Sequence, residues 1–182
     1  MMKRKENRKS GCSGPQCALI FAAGILLLAA VDQGLKYLAS ITLKGTEGVT
    51  LIPGILELQY LENRGMAFGM LQGKQILFLI FCLAFFALII YIFVRIPKNR
   101  YFLPLVVTGV FLAGGAAGNF IDRLFRGYVI DFIYFSCIDF PIFNAADIFV
   151  VCGGIALVLL TLFRYQDGDF EFLSGKHRKT EN

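Results

Sequence analysis

Two aspartates sixteen residues apart, Asp131 and Asp147, have the chemistry and the setting to act together. Asp131 lies inside Val129-Ile130-Asp131-Phe132-Ile133, a β-branched and aromatic segment of the kind that forms strands. Asp147 opens the apolar run Ile148 to Phe163 and so falls in the first turn of a helix. If the loop containing Cys137 to Pro141 folds back, the strand acid and the helix acid face each other. Such a pair can hydrolyse a peptide bond: one carboxylate takes a proton from water while its protonated neighbour donates to the scissile carbonyl oxygen. Like charges in contact share one proton and titrate as a unit, so neither acid is given a private role. A helix beginning near Ala145 adds positive potential at its N-terminus, beside Asp147.

The surroundings strengthen this reading. Gly114 to Asp147 holds four of the 13 acidic residues, set between apolar runs. Mean hydropathy of +0.65 and a hydrophobic content of 57% are too high for an ordinary soluble domain and place the chain in a bilayer. Four runs have few or no charges: Cys17 to Val31, Gln75 to Val94, Tyr101 to Ile121, and Phe140 to Phe163 with Asp147 its only charge. The last three reach the ~20 residues that a spanning helix needs. The first is shorter and extends either back toward Cys12 or forward past Asp32 to Ala39, with Lys36 snorkelling to the interface. Its basic prelude, Lys3 to Lys9, resembles a signal peptide, but no small-x-small cleavage site follows, so it reads as a retained helix.

The expected fold is therefore membrane α-helical, with four transmembrane helices and a small extracytoplasmic β platform. Lys and Arg gather in the N-terminal tail, in the connection Arg95 to Arg100, and after Phe163. The positive-inside rule makes these segments and both termini cytoplasmic. Residues 1–14 form a basic tail, 15–165 the membrane domain with external strands near 49–70 and 127–137, and 166–182 a second tail in which Gln166 to Asp169 is a solvated turn. Asp32 then ends the first helix, Asp122 the third, and Asp147 begins the fourth, so all three reach the outer face. Ionisable groups at membrane depth are costly, and such convergence points to a site. The net charge of +5 follows from the topogenic bias and gives no support for nucleic-acid binding.

Each acid also has a plainer reading. Asp32 can pair with Lys36 at i,i+4. Asp122 and Arg123 can brace the end of the third helix, Asp139 can be a loop acid, and Asp131 can pair with Arg123 or Arg126. Asp147 can be a capping-box acid, three residues after Asn144. Gly114 and Gly118, four apart, read as a packing strip rather than a ligand contact. The five cysteines lack a CxxC pair and read as small hydrophobes.

The motifs Gly114-Gly115-Ala116-Ala117-Gly118-Asn119-Phe120-Ile121-Asp122-Arg123, Gly127 to Phe132 and Phe143-Asn144-Ala145-Ala146-Asp147, with Asp32-Gln33 and Asn63 to Gly69, resemble type II signal peptidase, the bacterial lipoprotein signal peptidase. The resemblance covers the first helix to the fourth. It implies a four-helix aspartic endopeptidase of the bacterial cytoplasmic membrane that cleaves prolipoproteins just before a diacylglyceryl-modified cysteine. Asp131 and Asp147 are then catalytic, and Asp32, Asn63, Asn119, Asp122, Arg123 and Asn144 line or support the site. It further implies a monomer, inhibition by the peptide antibiotic globomycin, and no cofactor or metal. Met66 stands where a smaller residue is common, and the tails lie outside the motifs.

Other classes fit less well. A proton-coupled carrier places ionisable groups near the midplane and carries repeat symmetry, and neither is visible here. A purely structural scaffold leaves the acids without a purpose. The only histidine, His177, is in the C-terminal tail, which excludes a Ser-His pair and an HExxH zinc site, and no serine lies in a GxSxG setting.

Overall fold

The computed structural model describes residues 14–65 and 75–173. The Met66 to Gly69 part of the Asn63 to Gly69 motif and most of both expected tails lie outside these residues. Four long helices cross the molecule: α1 (Gly14–Thr42), α2 (Gln75–Arg95), α3 (Leu103–Phe125) and α4 (Ala145–Phe163). Each is long and apolar enough to span a bilayer. The shortest, α4, has 19 residues and a length of about 28 Å, close to a hydrocarbon core. Leu26, Ile76, Val94, Val158 and Phe163 are among many large apolar side chains left exposed along them. That pattern belongs to helices whose solvent is lipid, and the protein is a multi-pass membrane protein.

The bundle is centred on α3, which packs on α4 and α1 and more lightly on α2. Its small residues make this possible. A Cβ on Gly114 would lie 2.7 Å from Leu28 Cβ of α1, and one on Gly115 2.8 Å from Val150 Cγ2 of α4. Beside this strip, Leu112 and Ala113 of α3 cluster with Phe21 of α1 and Ile89 of α2. The strip expected at Gly114 and Gly118 thus packs closely on Leu28 and Asp32 of α1, and Gly115 adds a second close face toward α4.

Over one end of the bundle lies an antiparallel sheet in the order β1–β2–β3, built from Val49–Ile52, Leu56–Asn63 and Val129–Phe135. Leu58, Tyr60 and Ile133 pack against Ala39 of α1, Leu43 just after it and Phe132 of β3, which seats the sheet on the end of α1. Gly127, with φ of 78°, makes the turn that carries the chain from α3 into β3.

The chain then returns as expected. Phe143 donates its N–H to the Ile133 carbonyl at 3.0 Å, and its own carbonyl accepts from Phe132 and Ile133 at 3.0 and 2.8 Å. These bonds pin the residue before Asn144 to β3, so the start of α4 lies beside the strand that carries Asp131.

Three expectations give way. Lys36 is wholly buried rather than snorkelling, because Asp32 and Asp122 hold its ammonium inside the bundle. The segment read as a solvated turn belongs to a 3-10 helix, Asp167–Leu173, whose Phe170 and Phe172 pack on Ile96, Tyr101, Phe102, Leu105 and Tyr165. Aromatic residues outside the helical period supply that packing. Cys17, read as a thiol, is held in a disulfide, while Cys82, Cys137 and Cys152 are free.

Candidate active site

The C-terminal parts of α1 and α3, the N-terminus of α4, and strands β2 and β3 meet at the sheet end of the bundle. Every residue that the sequence singles out there is drawn in. Asp131, 2% exposed, accepts from Asn63 Nδ2 at 2.8 Å and from Asn144 Nδ2 at 2.6 Å, one donor on each carboxylate oxygen. Asp147 is half-buried and accepts from Asn119 Nδ2 at 2.8 Å on one oxygen. Its other oxygen accepts the Asn144 backbone N–H at 3.1 Å.

Asn144 joins the two acids. It is the N-cap of α4 in extended conformation, and its Oδ1 accepts the Asp147 N–H at 3.1 Å. The capping box expected as the plainer role of Asp147 is therefore present. It does not compete with a second role, because the cap uses one carboxylate oxygen and leaves the other directed toward Asn119.

Below this layer lies an ionic cluster whose centre, Asp32, Lys36 and Asp122, has no exposed surface. Lys36 Nζ is 2.7 Å from Asp32 Oδ2, 2.8 Å from Asp122 Oδ2 and 2.8 Å from Asn119 Oδ1. Asp32 also accepts the Ala146 N–H at 2.9 Å, tying α1 to the start of α4. Asp122 accepts from Gln33 Nε2 at 3.1 Å, from the Ile130 N–H at 3.3 Å and from Arg126. It thus braces α1, α3 and β3 together. The Asp32–Lys36 pairing is real, yet it is one edge of this larger cluster. Arg126 is engaged with Asp122 and Gln33, and Arg123 turns the other way, over the Phe78 ring and to the Gly65 carbonyl at 3.3 Å. Asp139 is an exposed loop acid that accepts from Tyr134.

Asp131, Asp147, Asn63, Asn119 and Arg123 open onto one cavity of about 890 Å³. Its remaining wall is mostly apolar, including Phe135, Ile138, Phe140, Ile148 and Val151. A few convergent polar groups in an apolar cleft are the usual form of a substrate site. Burial, more than the nearby Asp147 charge, pushes the Asp131 carboxyl up to about 6, against the lowering effect of Asn63 and Asn144. A carboxyl that keeps its proton into this range can serve as an acid. Among the described residues no group of three His, Cys, Asp or Glu is placed to hold a metal ion.

Sequence reasoning did not place Lys36, Gln33 and Arg126 at the site. The signal was present, since a lysine four residues after an aspartate inside an apolar helix has few alternatives to burial with partners.

Fold and site together define a polytopic membrane protein in which two carboxylates open onto one cavity at one end of the helices. The family model for signal peptidase (SPase) II matches residues 24–163, and the chain belongs to this family of membrane proteases. It is 39% identical over 148 residues to the lipoprotein signal peptidase of Caldanaerobacter subterraneus, covering 81% of this chain and 97% of that one. The lipoprotein signal peptidase of Syntrophomonas wolfei is 42% identical over 143 residues, covering 78% and 92%. Among solved structures, a bacterial membrane enzyme determined by the in meso method at 2.3 Å superposes with a TM-score of 0.72 at 29% identity, covering 94% and 98%. A second, at 1.9 Å, gives 0.71 at 30% identity, covering 85% and 97%.

Proposed function

We propose that this protein is an aspartic endopeptidase that removes signal peptides from prolipoproteins, with Asp131 and Asp147 as its catalytic pair. The observation that carries the reading is the bridge through Asn144: two carboxylates from different elements are held by one amide residue and open onto the same apolar cavity. The substrate class comes from the lipoprotein signal peptidases that the chain resembles.

The reaction needs the pair to hold one proton. Water between the carboxylates gives a proton to the ionised acid as its oxygen attacks the scissile carbonyl carbon, and the protonated acid donates to the carbonyl oxygen. The resulting gem-diol collapses as the protonated acid gives its proton to the amide nitrogen, the other acid takes one from a gem-diol hydroxyl and the C–N bond breaks, so the pair again holds one proton. Asn63, Asn119 and Asn144 fix the carboxylates beforehand, which lowers the cost of reorganisation in the transition state.

The scissile bond is the one preceding a diacylglyceryl-modified cysteine. Two acyl chains hold such a substrate in a leaflet, at about 0.8 kcal/mol for each buried CH₂. The apolar side of the cavity, with Ile148 and Val151 on α4, suits entry from lipid. The site faces the outer surface of the bacterial cytoplasmic membrane, both termini are cytoplasmic, and the enzyme works as a monomer that globomycin blocks. The deciding experiment compares wild type, Asp131→Asn and Asp147→Asn on a diacylglyceryl-modified prolipoprotein by gel shift, with folding checked for each. Loss of cleavage in both folded variants is expected; near-normal cleavage by either removes that acid from the pair.

A further inference from the structure

Lys36 is a fully buried cation that touches neither acid of the proposed pair, and its three N–H donors are all used. They meet Asp32, Asp122 and Asn119 at 2.7, 2.8 and 2.8 Å. Two of these acceptors are carboxylates, and neutralising them accounts for part of the burial. The third is a neutral amide, which neutralisation alone does not require.

That third contact fixes the direction of Asn119. Its Oδ1 faces the ammonium and also accepts from Asn144 Nδ2 at 3.1 Å, so its Nδ2 is left to donate to Asp147 Oδ1 at 2.8 Å. The opposite orientation would turn an NH₂ group toward two donors and a carbonyl oxygen toward a carboxylate. Asn144 Nδ2, shared between Asn119 and Asp131, extends the chain of contacts to the other acid. We propose that Lys36 is a positioning residue for the hydrolysis, acting through Asn119 to orient the donors that hold Asp147 and Asp131.

The inference rests on these two acids being the reacting pair. It is consistent with the charge effect of Lys36 on Asp131, which favours the ionised carboxylate. The charged groups around Asp131 are Asp147 on α4, Lys36 on α1 and Arg123 on α3. On β2, Asn63 is neutral and Glu62 is paired with Lys44 and Arg64.

Two variants separate positioning from neutralisation. Lys36→Arg keeps the charge but brings a planar fork in place of a point donor. Asp32→Asn/Lys36→Met removes one charge of each sign and leaves Asp122 paired with Arg126. Both are assayed on diacylglyceryl-modified prolipoprotein across pH, with thermal unfolding in detergent as the control for folding. The expected result is a folded protein whose kcat falls by about 10- to 100-fold with KM little changed. In the double variant the acid limb of the pH profile moves to higher pH, because a cation that favours ionisation is gone. Adding Lys36→Arg to Asn119→Ala costs kcat little further, since the amide through which Lys36 acts is already gone.

Wild-type kcat in either folded variant would overturn the proposal, as would a change confined to KM or an additive loss with Asn119→Ala. Failure of both variants to fold would overturn it as well, leaving Lys36 as a support of the bundle. The reading of the pair fails separately, through Asp131→Asn or Asp147→Asn retaining cleavage; dead Asn variants beside fully active Lys36 variants defeat the positioning role alone.

Discussion

The side-chain amide of Asn144 lies 2.6 Å from the Asp131 carboxylate, while its carbonyl accepts the backbone N–H of Asp147 at 3.1 Å. One residue therefore sets the N-terminus of α4 and the relation between the two acids. The two duties separate by substitution. Serine is also a good N-cap, yet its hydroxyl is too short to reach Asp131 as well. Asn144→Ser keeps the unfolding temperature near that of wild type while kcat/KM falls by about 10²- to 10³-fold, the usual cost of removing an oriented donor. Asn144→Ala adds a loss of about 1 kcal/mol of stability for the missing cap. Thermal unfolding and cleavage rates on the same samples check both values.

The burial of Asp131 gives a pH dependence with a definite sign. Its carboxyl is raised from 3.8 to about 6 on folding, so the folded state binds this proton more tightly than the unfolded chain. The fold thus loses stability as pH rises from 3.8 through about 6 and keeps that lower value above. With Asp131 as an acid of the proposed pair, kcat/KM in the free enzyme falls on the alkaline side as this carboxyl loses its proton. Unfolding temperatures of wild type and Asp131→Asn, measured from pH 4 to pH 8, are expected to differ in slope over this window. Parallel curves would assign the pH response to other groups.

Close helix packing beneath the site makes Gly118 intolerant of even a methyl group. A Cβ there would press on the Asp32 carboxylate, with Asp32 Cγ at 2.8 Å and Ala146 Cβ at 3.2 Å. Gly118→Ala displaces the partner of Lys36 and is expected to cost about 1–3 kcal/mol, with a matching loss of cleavage. Gly154, on the same helix as Ala146, has nothing within 4 Å of an added Cβ. Gly154→Ala is therefore the control and leaves both stability and activity unchanged.

Hydropathy made the four helices legible, and a β-branched and aromatic run made β3 legible, because both are local patterns. The meeting of Asp32, Asp122, Asp131 and Asp147 at one end followed from chain direction through successive spans. The interior of the site was less legible. Asp32 and Lys36 at i,i+4 look the same in a surface pair and in a buried cluster, and only Asp122 and Asn119, 80 or more positions away, decide between them. The return of Phe143 to β3 is likewise a backbone pairing that no side-chain period announces. The C-terminal segment was misread because its Phe170 and Phe172 stand among charges, and their partners Phe102 and Tyr165 lie on other elements.

That aromatic cluster sits at the end of the bundle away from the acids. Tyr101 donates its hydroxyl to Asp169 at 2.6 Å, and the Phe172 ring lies 5.6 Å from Phe102 at the start of α3. About 17 residues of α3 separate Phe102 from Asn119, a distance of roughly 25 Å. The Leu173 carbonyl also accepts from Arg95 at 3.1 Å, so the segment links the end of α2 to the starts of α3 and the end of α4. Phe172→Ala removes half-buried aromatic surface and is expected to cost about 1–3 kcal/mol, less than a fully buried phenylalanine. Because the site depends on contacts at the opposite end, kcat/KM at a temperature where the variant stays folded remains at the wild-type value. A specific loss of kcat in folded Phe172→Ala would mean that the packing of α2 against α3 reaches the acids, through Arg123 and its stacking on Phe78.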